Sequence, residues 1–204
     1  MNNIGISLGW NCNSAVWGVQ QNIRKRKDEG YNTCPFDEMI TNYKGIVNCL
    51  NDDFKYFYDE NHIEMIKEIK ENEYTIYNNK YNFGFNHESP GHADLYISQK
   101  WTEGINHFIN NNFYNFKERY KKRIHNFRSY LLDPNNFIIF ILTSWNKTQD
   151  DIIDLKMAIE KYYPTLKYKI IIINDPNGKE YYLKHMRDMR IKDDDYEIKR
   201  ILNM

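Results

Sequence analysis

Cys12 is the side chain in this sequence with the best placement for nucleophilic chemistry. It follows an apolar run at residues 4–8 and a short connection, Gly9-Trp10-Asn11, and it opens an amphipathic helix. A thiol in the first turn of a helix lies among unpaired backbone N–H groups at the positive end of the helix dipole, which favours the thiolate. The alternative is a place in the core, because cysteine is among the most buried residue types.

The helix that begins at Cys12 has one apolar face in its sequence. Apolar side chains recur at i, i+3, i+4, i+7 and i+11, which is the spacing of a single helical face. They are Cys12, Ala15, Val16, Val19 and Ile23. We therefore expect this face to be buried.

His87 is the candidate general base. It follows a predicted hairpin, and ligands of open parallel sheets bind beyond the carboxyl ends of the strands, where Cys12 also lies. A thiol and an imidazole need only a third polar group to orient the ring. The alternative is a solvated or capping histidine. Other polar groups after predicted strands are Ser144-Trp145-Asn146 and Asn174-Asp175.

The polar segment around His87 also contains atoms that bind metals. The side chains are those of His87, Glu88, His92 and Asp94. Their spacing, on a loop with Gly and Pro, matches no strong ligand pattern. We therefore predict neither a metal nor a cofactor, and keep Glu88 and Asp94 as candidates for supporting the chemistry.

Asp37 is the third conspicuous polar residue. Pro35 fixes the backbone before it, and Phe36 is suited to anchor the segment in the core, so the Asp37 carboxylate would be held rigidly. On local grounds a cap of a short helical turn is the favoured role for Asp37. The basic stretch at residues 117–128 has the charge to bind a phosphate, but a solvated helix face is the favoured reading.

The bulk composition excludes several classes of protein. A chain of 204 residues without a repeat or linker predicts one domain, residues 1–204. The net charge is zero, with Lys+Arg 28 and Asp+Glu 28, so we expect no general electrostatic attraction to nucleic acid or to a membrane. The composition does not predict the oligomeric state. Three cysteines without CxxC spacing argue against disulfides and a zinc site. With no signal peptide and no bilayer-spanning run, we expect a cytoplasmic or otherwise intracellular protein.

The predicted elements indicate an α/β fold. Apolar β-branched runs predict strands buried on both faces at 4–8, 137–143 and 168–173. Helical spacing predicts helices at 115–132, at 148–163 with Thr148 as its cap, and at 60–71, and turn residues predict a hairpin of 74–78 with 80–86. We expect a three-layer sandwich around a mostly parallel sheet with an added β-hairpin.

Several short motifs resemble those of a known family. Ser7-Leu8-Gly9 with Cys12, then Pro35-Phe36-Asp37-Glu38, then His87-Glu88, are similar to the "SLG..C", "PFDW" and "HD" motifs of the "putative papain-like cysteine peptidase" family. Residues 53–57 and 122–127 resemble two further pieces of it. The sequence departs from the family at two places, where Glu38 replaces Trp and Glu88 replaces Asp.

The resemblance implies roles for individual residues. Cys12 would be the nucleophile, His87 its base, and Asp37 the acidic residue that orients the imidazole or shapes the pocket. Arg123 matches a basic position with no stated role. The resemblance also implies an alternative fold class, α+β and papain-like, with an antiparallel sheet.

The favoured function is that of a cysteine hydrolase, peptidase- or amidase-like, or an acyltransferase. It would work through a thioester acyl-enzyme on an amide, ester or glycan-linked acyl substrate, with helix N–H groups and the Asn11 or Asn13 side chain stabilising the oxyanion. One alternative is a non-catalytic module that binds a phosphorylated or nucleotide-sugar ligand. Another is an inactive scaffold descended from an enzyme.

Overall fold

Two β-sheets and the helices around them make up the part of the chain that the structure, a computed structural model, describes: residues 1–67, 74–93, 101–144 and 147–174. In chain order the strands and α-helices are β1 (Asn2–Gly9), α1 (Asn13–Gln20), α2 (Tyr43–Asn51), β2 (Ile63–Lys67), β3 (Tyr74–Asn78), β4 (Phe83–Phe85), α3 (Pro90–Ala93), α4 (Asn110–Leu132), β5 (Asn136–Ser144), α5 (Ile153–Tyr162) and β6 (Tyr168–Asn174). Short 3-10 helices lie at Pro35–Glu38, Asn86–Glu88 and Gly104–Asn106.

The central sheet is parallel, with strand order β1-β5-β6. Ile6 pairs with Phe140 and Ile141 with Ile171, so all three predicted strands lie in one sheet. The prediction that each is buried on both faces holds for the central strand β5 but is wrong for β6. β6 has only β5 as a neighbour within the described residues, and its isoleucines are mostly half-buried.

Helices cover both faces of this sheet. A Cβ on Gly18 of α1 would lie 2.6 Å from Cδ1 of Ile141, so α1 packs closely on the face to which Ile141 points. Neighbouring residues of a strand point to opposite faces, and the ring of Phe140 packs against Phe127 of α4 with centroids 6.3 Å apart. The first of the two expected fold classes, an α/β sandwich of three layers, is therefore confirmed.

The second sheet is antiparallel and has the order β2-β3-β4. The predicted hairpin is confirmed as β3 and β4, and the Asn78 side chain accepts hydrogen bonds from the backbone N–H groups of Lys80 and Tyr81 in its turn. The helix predicted at 60–71 is wrong, because residues 63–67 form β2, where Met65 pairs with Ile76. Tertiary pairing decides the conformation of such a short apolar pattern; residues 68–73 lie outside the described part.

The long helices fall near their predicted positions. The predicted helix at 115–132 is the regular part of α4, since Asn111–Phe113 have positive φ angles. The helix predicted from 148 begins at Ile153, because the Thr148 hydroxyl and N–H both donate to the Asp151 carboxylate in a preceding turn. None of the helices described here has the length and apolar character that a bilayer crossing requires.

Phe36 lies at the centre of the core and has no exposed surface, as predicted. Its ring packs against four other phenylalanines at centroid distances of 5.8 to 6.3 Å. They are Phe54, Phe57, Phe83 and Phe127. The 3-10 helix Pro35–Glu38 is thereby fixed against both α4 and the second sheet.

The connection between β1 and α1 is held by Thr41. Its hydroxyl donates to the Leu8 carbonyl at 3.2 Å, and its N–H donates to the Trp10 carbonyl at 2.8 Å. Gly9 has a φ of +97°, and a Cβ there would lie 1.9 Å from Oγ1 of Thr41. Only glycine fits this turn, and the turn decides where Cys12 stands.

We predict that Gly9→Ala destabilises the protein more than Gly30→Ala. Both glycines have similar φ angles, +97° and +94°, but nothing lies within 4 Å of a Cβ at Gly30. The backbone strain costs about 1–2 kcal/mol in each variant, and the clash with Thr41 adds roughly 1–3 kcal/mol at Gly9 only. Denaturant unfolding of both variants measures the difference; equal losses would contradict this account of the turn.

Candidate active site

An open cleft of about 370 Å³ lies beside α1. Its wall contains Cys12, His87 and Asp37, so the structure brings the three principal candidates to one place. We call it the Cys12 cleft. The complete lining is Cys12, Ala15, Val16, Val19, Arg24, Lys25, Arg26, Lys27, Asp37, Glu38 and His87.

Cys12 occupies the N-cap position of α1 and is partly exposed. Its carbonyl accepts the first hydrogen bond of the helix, from the N–H of Val16 at 3.0 Å. Cys34 and Cys49 are free thiols with no exposed surface. Among the three cysteines, Cys12 is therefore the one that a reagent or substrate can reach.

The resting Cys12 thiol is protonated at neutral pH. Burial raises the pKa of Cys12 above its ordinary value, its own backbone N–H lowers it, and the negative charge of Glu38 raises it further. The expectation that the helix start favours the thiolate is therefore wrong for the resting protein. Loss of hydration outweighs the short helix and its N–H groups.

Most of the apolar stripe of α1 does not face the core. The buried residues of α1 are Ser14, Ala15 and Gly18, whereas Val16 is 50% exposed and Val19 is half-buried. Ala15, Val16 and Val19 line the Cys12 cleft instead. The predicted buried face is confirmed for Ala15 and wrong for Val16 and Val19, because the side chains turned towards the sheet are small ones.

Asp37 is a fully buried structural carboxylate at the wall of the cleft. Oδ1 lies 2.6 Å from the Arg24 guanidinium, and Oδ2 accepts from the Cys34 N–H at 2.7 Å. Burial raises the pKa of Asp37, and the charge of Arg24 opposes this rise. The capping role favoured on local grounds is what the structure shows, at the third position of the helical turn and not at its start.

The remaining candidates lie apart from the thiol chemistry. Oδ1 of Asn11 accepts a hydrogen bond from the Asn13 N–H at 2.8 Å, which closes a local turn. Asn13 lines a different cavity, beside Trp17 and Ile173. Asp94 lies outside the described residues, as do Trp145, Asn146 and Asp175.

Arg123 is 4% exposed and joins the two acidic residues that differ from the family motifs. Its guanidinium bonds to Glu38 and lies 3.4 Å from Glu88. Glu88, 1% exposed, also accepts from the Tyr120 hydroxyl at 3.0 Å and lies 2.8 Å from Nε of Arg119. The prediction of a solvated basic face at 117–128 is thus wrong for these two arginines.

This buried ion-pair network ties the candidate site to α4. Glu38 follows Asp37 in the chain and Glu88 follows His87, so both turns are held by the same arginine. Burial would raise the pKa of Glu38, but the charge of Arg123, with contributions from Lys27 and Arg119, lowers it to about 2. The structure therefore assigns Arg123, whose role the sequence left open, to positioning the two turns.

Sequence reasoning missed the basic side of the cleft. Arg24, Lys25, Arg26 and Lys27 all line it. The signal was present as four consecutive basic residues soon after the helix that carries Cys12. A pattern of charges alone does not reveal that the run turns back towards the thiol.

A comparison with protein families decides the classification. A family-wide sequence model matches residues 4–178, and the family is described as "putative papain-like cysteine peptidase". The chain belongs to this family. Membership supports a cysteine hydrolase in general terms. No curated protein and no solved structure matched the chain in the corresponding searches.

We predict that Glu38→Gln weakens the acid dependence of stability. The folded pKa of Glu38, about 2, lies below its ordinary value of 4.5, so its stabilisation is complete above pH 4.5 and is lost as the pH falls towards 2. The loss is up to about 3 kcal/mol. Denaturant unfolding at pH 7, 4 and 2.5 measures it. Glu118→Gln, on an exposed part of α4, is the control; identical pH curves for wild type and Glu38→Gln would refute the prediction.

We also predict that iodoacetamide alkylates Cys12 well before Cys34 and Cys49. The other two thiols are fully buried, and burial raises the pKa of each well above its ordinary value. The Cys12 rate should keep rising through alkaline pH, and Glu38→Gln should move this rise to lower pH. Peptide mapping by mass spectrometry follows the three sites, with urea-unfolded protein as the control. A Cys12 rate that levels off near neutral pH would show a stabilised thiolate instead.

Proposed function

We propose that this protein is a cysteine hydrolase in which Cys12 is the nucleophile and His87 the general base. The observation that carries the proposal is that both side chains line one open cleft, although 75 positions separate them in the sequence. The family assignment supports a cysteine hydrolase in general. An acyl group bound in the cleft would stand beside the thiol at the first turn of α1.

A neutral resting thiol calls for base catalysis at the moment of attack. Cys12 is protonated at rest because burial raises its pKa. As Sγ bonds to the acyl carbon, the thiol proton passes to the imidazole of His87, and the carbonyl π electrons move to oxygen. His87 then gives the proton to the leaving amine or alkoxide as its bond to the acyl carbon breaks.

The start of α1 supplies a donor for the oxyanion. The Cys12 backbone N–H lies close enough to the thiol to lower its pKa, and so it lies near the acyl oxygen of a bound substrate as well. The Asn13 N–H is already engaged by Asn11. We therefore assign the oxyanion to the Cys12 N–H and place Asn11 in a local structural role.

The thioester acyl-enzyme is then resolved by a second nucleophile. With water, His87 takes one proton as the oxygen attacks the acyl carbon, and the Cys12 thiol is restored with that proton. With an alcohol or amine acceptor the same steps give acyl transfer. The open form of the cleft admits either acceptor.

The test uses p-nitrophenyl butyrate and intact-protein mass spectrometry. Wild type should gain one butyryl group on Cys12 and release p-nitrophenol in a burst, whereas Cys12→Ala should show neither. His87→Gln should slow acylation by about 100-fold or more. His125→Gln, an exposed histidine on α4, is the matched control and should react at the wild-type rate.

Two results would contradict the proposal. One is an unchanged acylation rate in His87→Gln, which would remove the base from the mechanism. The other is a butyryl group on Cys34 or Cys49 at the wild-type rate in Cys12→Ala. Circular dichroism of each variant establishes that the fold is intact in these comparisons.

A further inference from the structure

The two sides of the Cys12 cleft differ in chemistry. One side is the apolar stripe of α1, with Ala15, Val16 and Val19. The other is the segment at residues 24–27, which contributes four consecutive basic residues to the lining. A ligand that fills this cleft therefore meets apolar surface and positive charge side by side.

The acidic residues of the cleft are already neutralised. Asp37 is paired with Arg24 at 2.6 Å, and Glu38 with Lys27 and Arg123. Within the described residues, the exposed side chains of Lys25 and Arg26 make no ion pair, and the Glu29 carboxylate nearby accepts from the backbone N–H of Arg26. The uncompensated charge at the cleft is therefore positive.

From this lining we propose that the substrate is a peptide with an apolar residue beside the scissile amide and an acidic residue about three positions away. The proposal rests on the proposed cysteine hydrolase activity. Seven residues of α-helix separate Cys12 from Val19, a rise of about 10 Å. The Arg24 N–H donates to the Gly18 carbonyl at 3.0 Å, so the basic segment starts beside this end of α1. An extended peptide covers the distance from Cys12 in about three residues, so a peptide bound at Cys12 reaches the basic segment with its third residue.

The apolar stripe accounts for the first part of this specificity. Val16 is 50% exposed, and it lies one helical turn from the nucleophile. Covering such a side chain with an apolar side chain of the substrate removes both from water. A polar residue beside the scissile bond would gain nothing there, and a basic residue further along would face Lys25 and Arg26.

The test compares two peptides that differ at one position. Both place Leu beside the scissile amide, and the third residue away is Glu in one and Lys in the other. Wild type should cleave the Glu peptide with at least a 10-fold higher kcat/KM, and the ratio should shrink in 0.5 M salt through screening of the charge. Lys25→Glu/Arg26→Glu should reverse the preference. Lys44→Glu/Lys122→Glu, with the same charge change outside the cleft lining, should keep it.

Binding to Cys12→Ala separates this proposal from the catalytic one. Fluorescence anisotropy should show at least 10-fold tighter binding of the labelled Glu peptide than of the Lys peptide. If wild type is acylated by p-nitrophenyl butyrate but cleaves both peptides equally, the specificity is overturned and the hydrolase stands. If Cys12→Ala prefers the Glu peptide and wild type cleaves neither, the charge preference is upheld and the hydrolase fails.

A different occupant would also be recognised by this experiment. Uridine diphosphate is the probe for a nucleotide-binding site at the same basic segment. If it binds Cys12→Ala more tightly than the Glu peptide, and Lys25→Glu/Arg26→Glu abolishes its binding, the cleft takes a phosphorylated ligand. That result would overturn the peptide as the substrate.

Discussion

The interaction on which the candidate site depends most is the burial of Arg123 between Glu38 and Glu88. A buried charge is tolerated only when it is paired and hydrogen-bonded, and removal of one partner leaves the others unpaired at a cost of several kcal/mol. Arg123 is paired with both glutamates, and loss of either would leave part of the buried charge uncompensated. Because each glutamate directly follows a candidate residue in the chain, the same pairing holds Asp37 and His87 beside the middle of α4. The stability of the core and the geometry of the cleft therefore depend on the same ion pairs.

A second constraint acts at α1. Ser14 bonds to the Gly9 carbonyl and to Thr143, and Gly18 packs directly against Ile141, so this helix is in close contact with the sheet. Close approach is possible only with small side chains, and they occupy the face that larger apolar residues would otherwise fill. The valines are consequently left on the other side of the helix. Val16 and Val19, whose spacing normally indicates a core-facing side of a helix, line the wall of the cleft instead.

The contrast between prediction and structure follows the range of the interactions involved. A run such as residues 137–143 predicts a buried strand because consecutive apolar β-branched residues favour the β conformation and burial. Phe36 predicts a core position because its large apolar ring follows Pro35, which fixes the backbone. Residues 63–67 formed a strand because of their pairing with β3, which no local pattern contains. The candidate pair Cys12 and His87 was accessible through motifs, whereas the network among Glu38, Glu88 and Arg123 joins three distant segments and has no local signature. The raised pKa of Cys12 was missed for the same reason, since burial is set by the whole fold.

The replacement of Trp by Glu at position 38 changes the electrostatics of the thiol in a compensated way. Glu38 raises the pKa of Cys12, yet the same carboxylate is held by Arg123, Lys27 and Arg119. These cations largely balance the charge of Glu38, and Glu38 raises the pKa of Cys12 less than burial does. A tryptophan there would carry no charge to pair with Arg123 and would leave Glu88 as the acidic partner of that guanidinium among the residues described. Compared with Trp, Glu38 gives the cleft wall less apolar surface but adds a second ion pair between that wall and Arg123 of α4. The positive charge of the cleft then comes from Lys25 and Arg26, because the ion pairs of Glu38 do not include them.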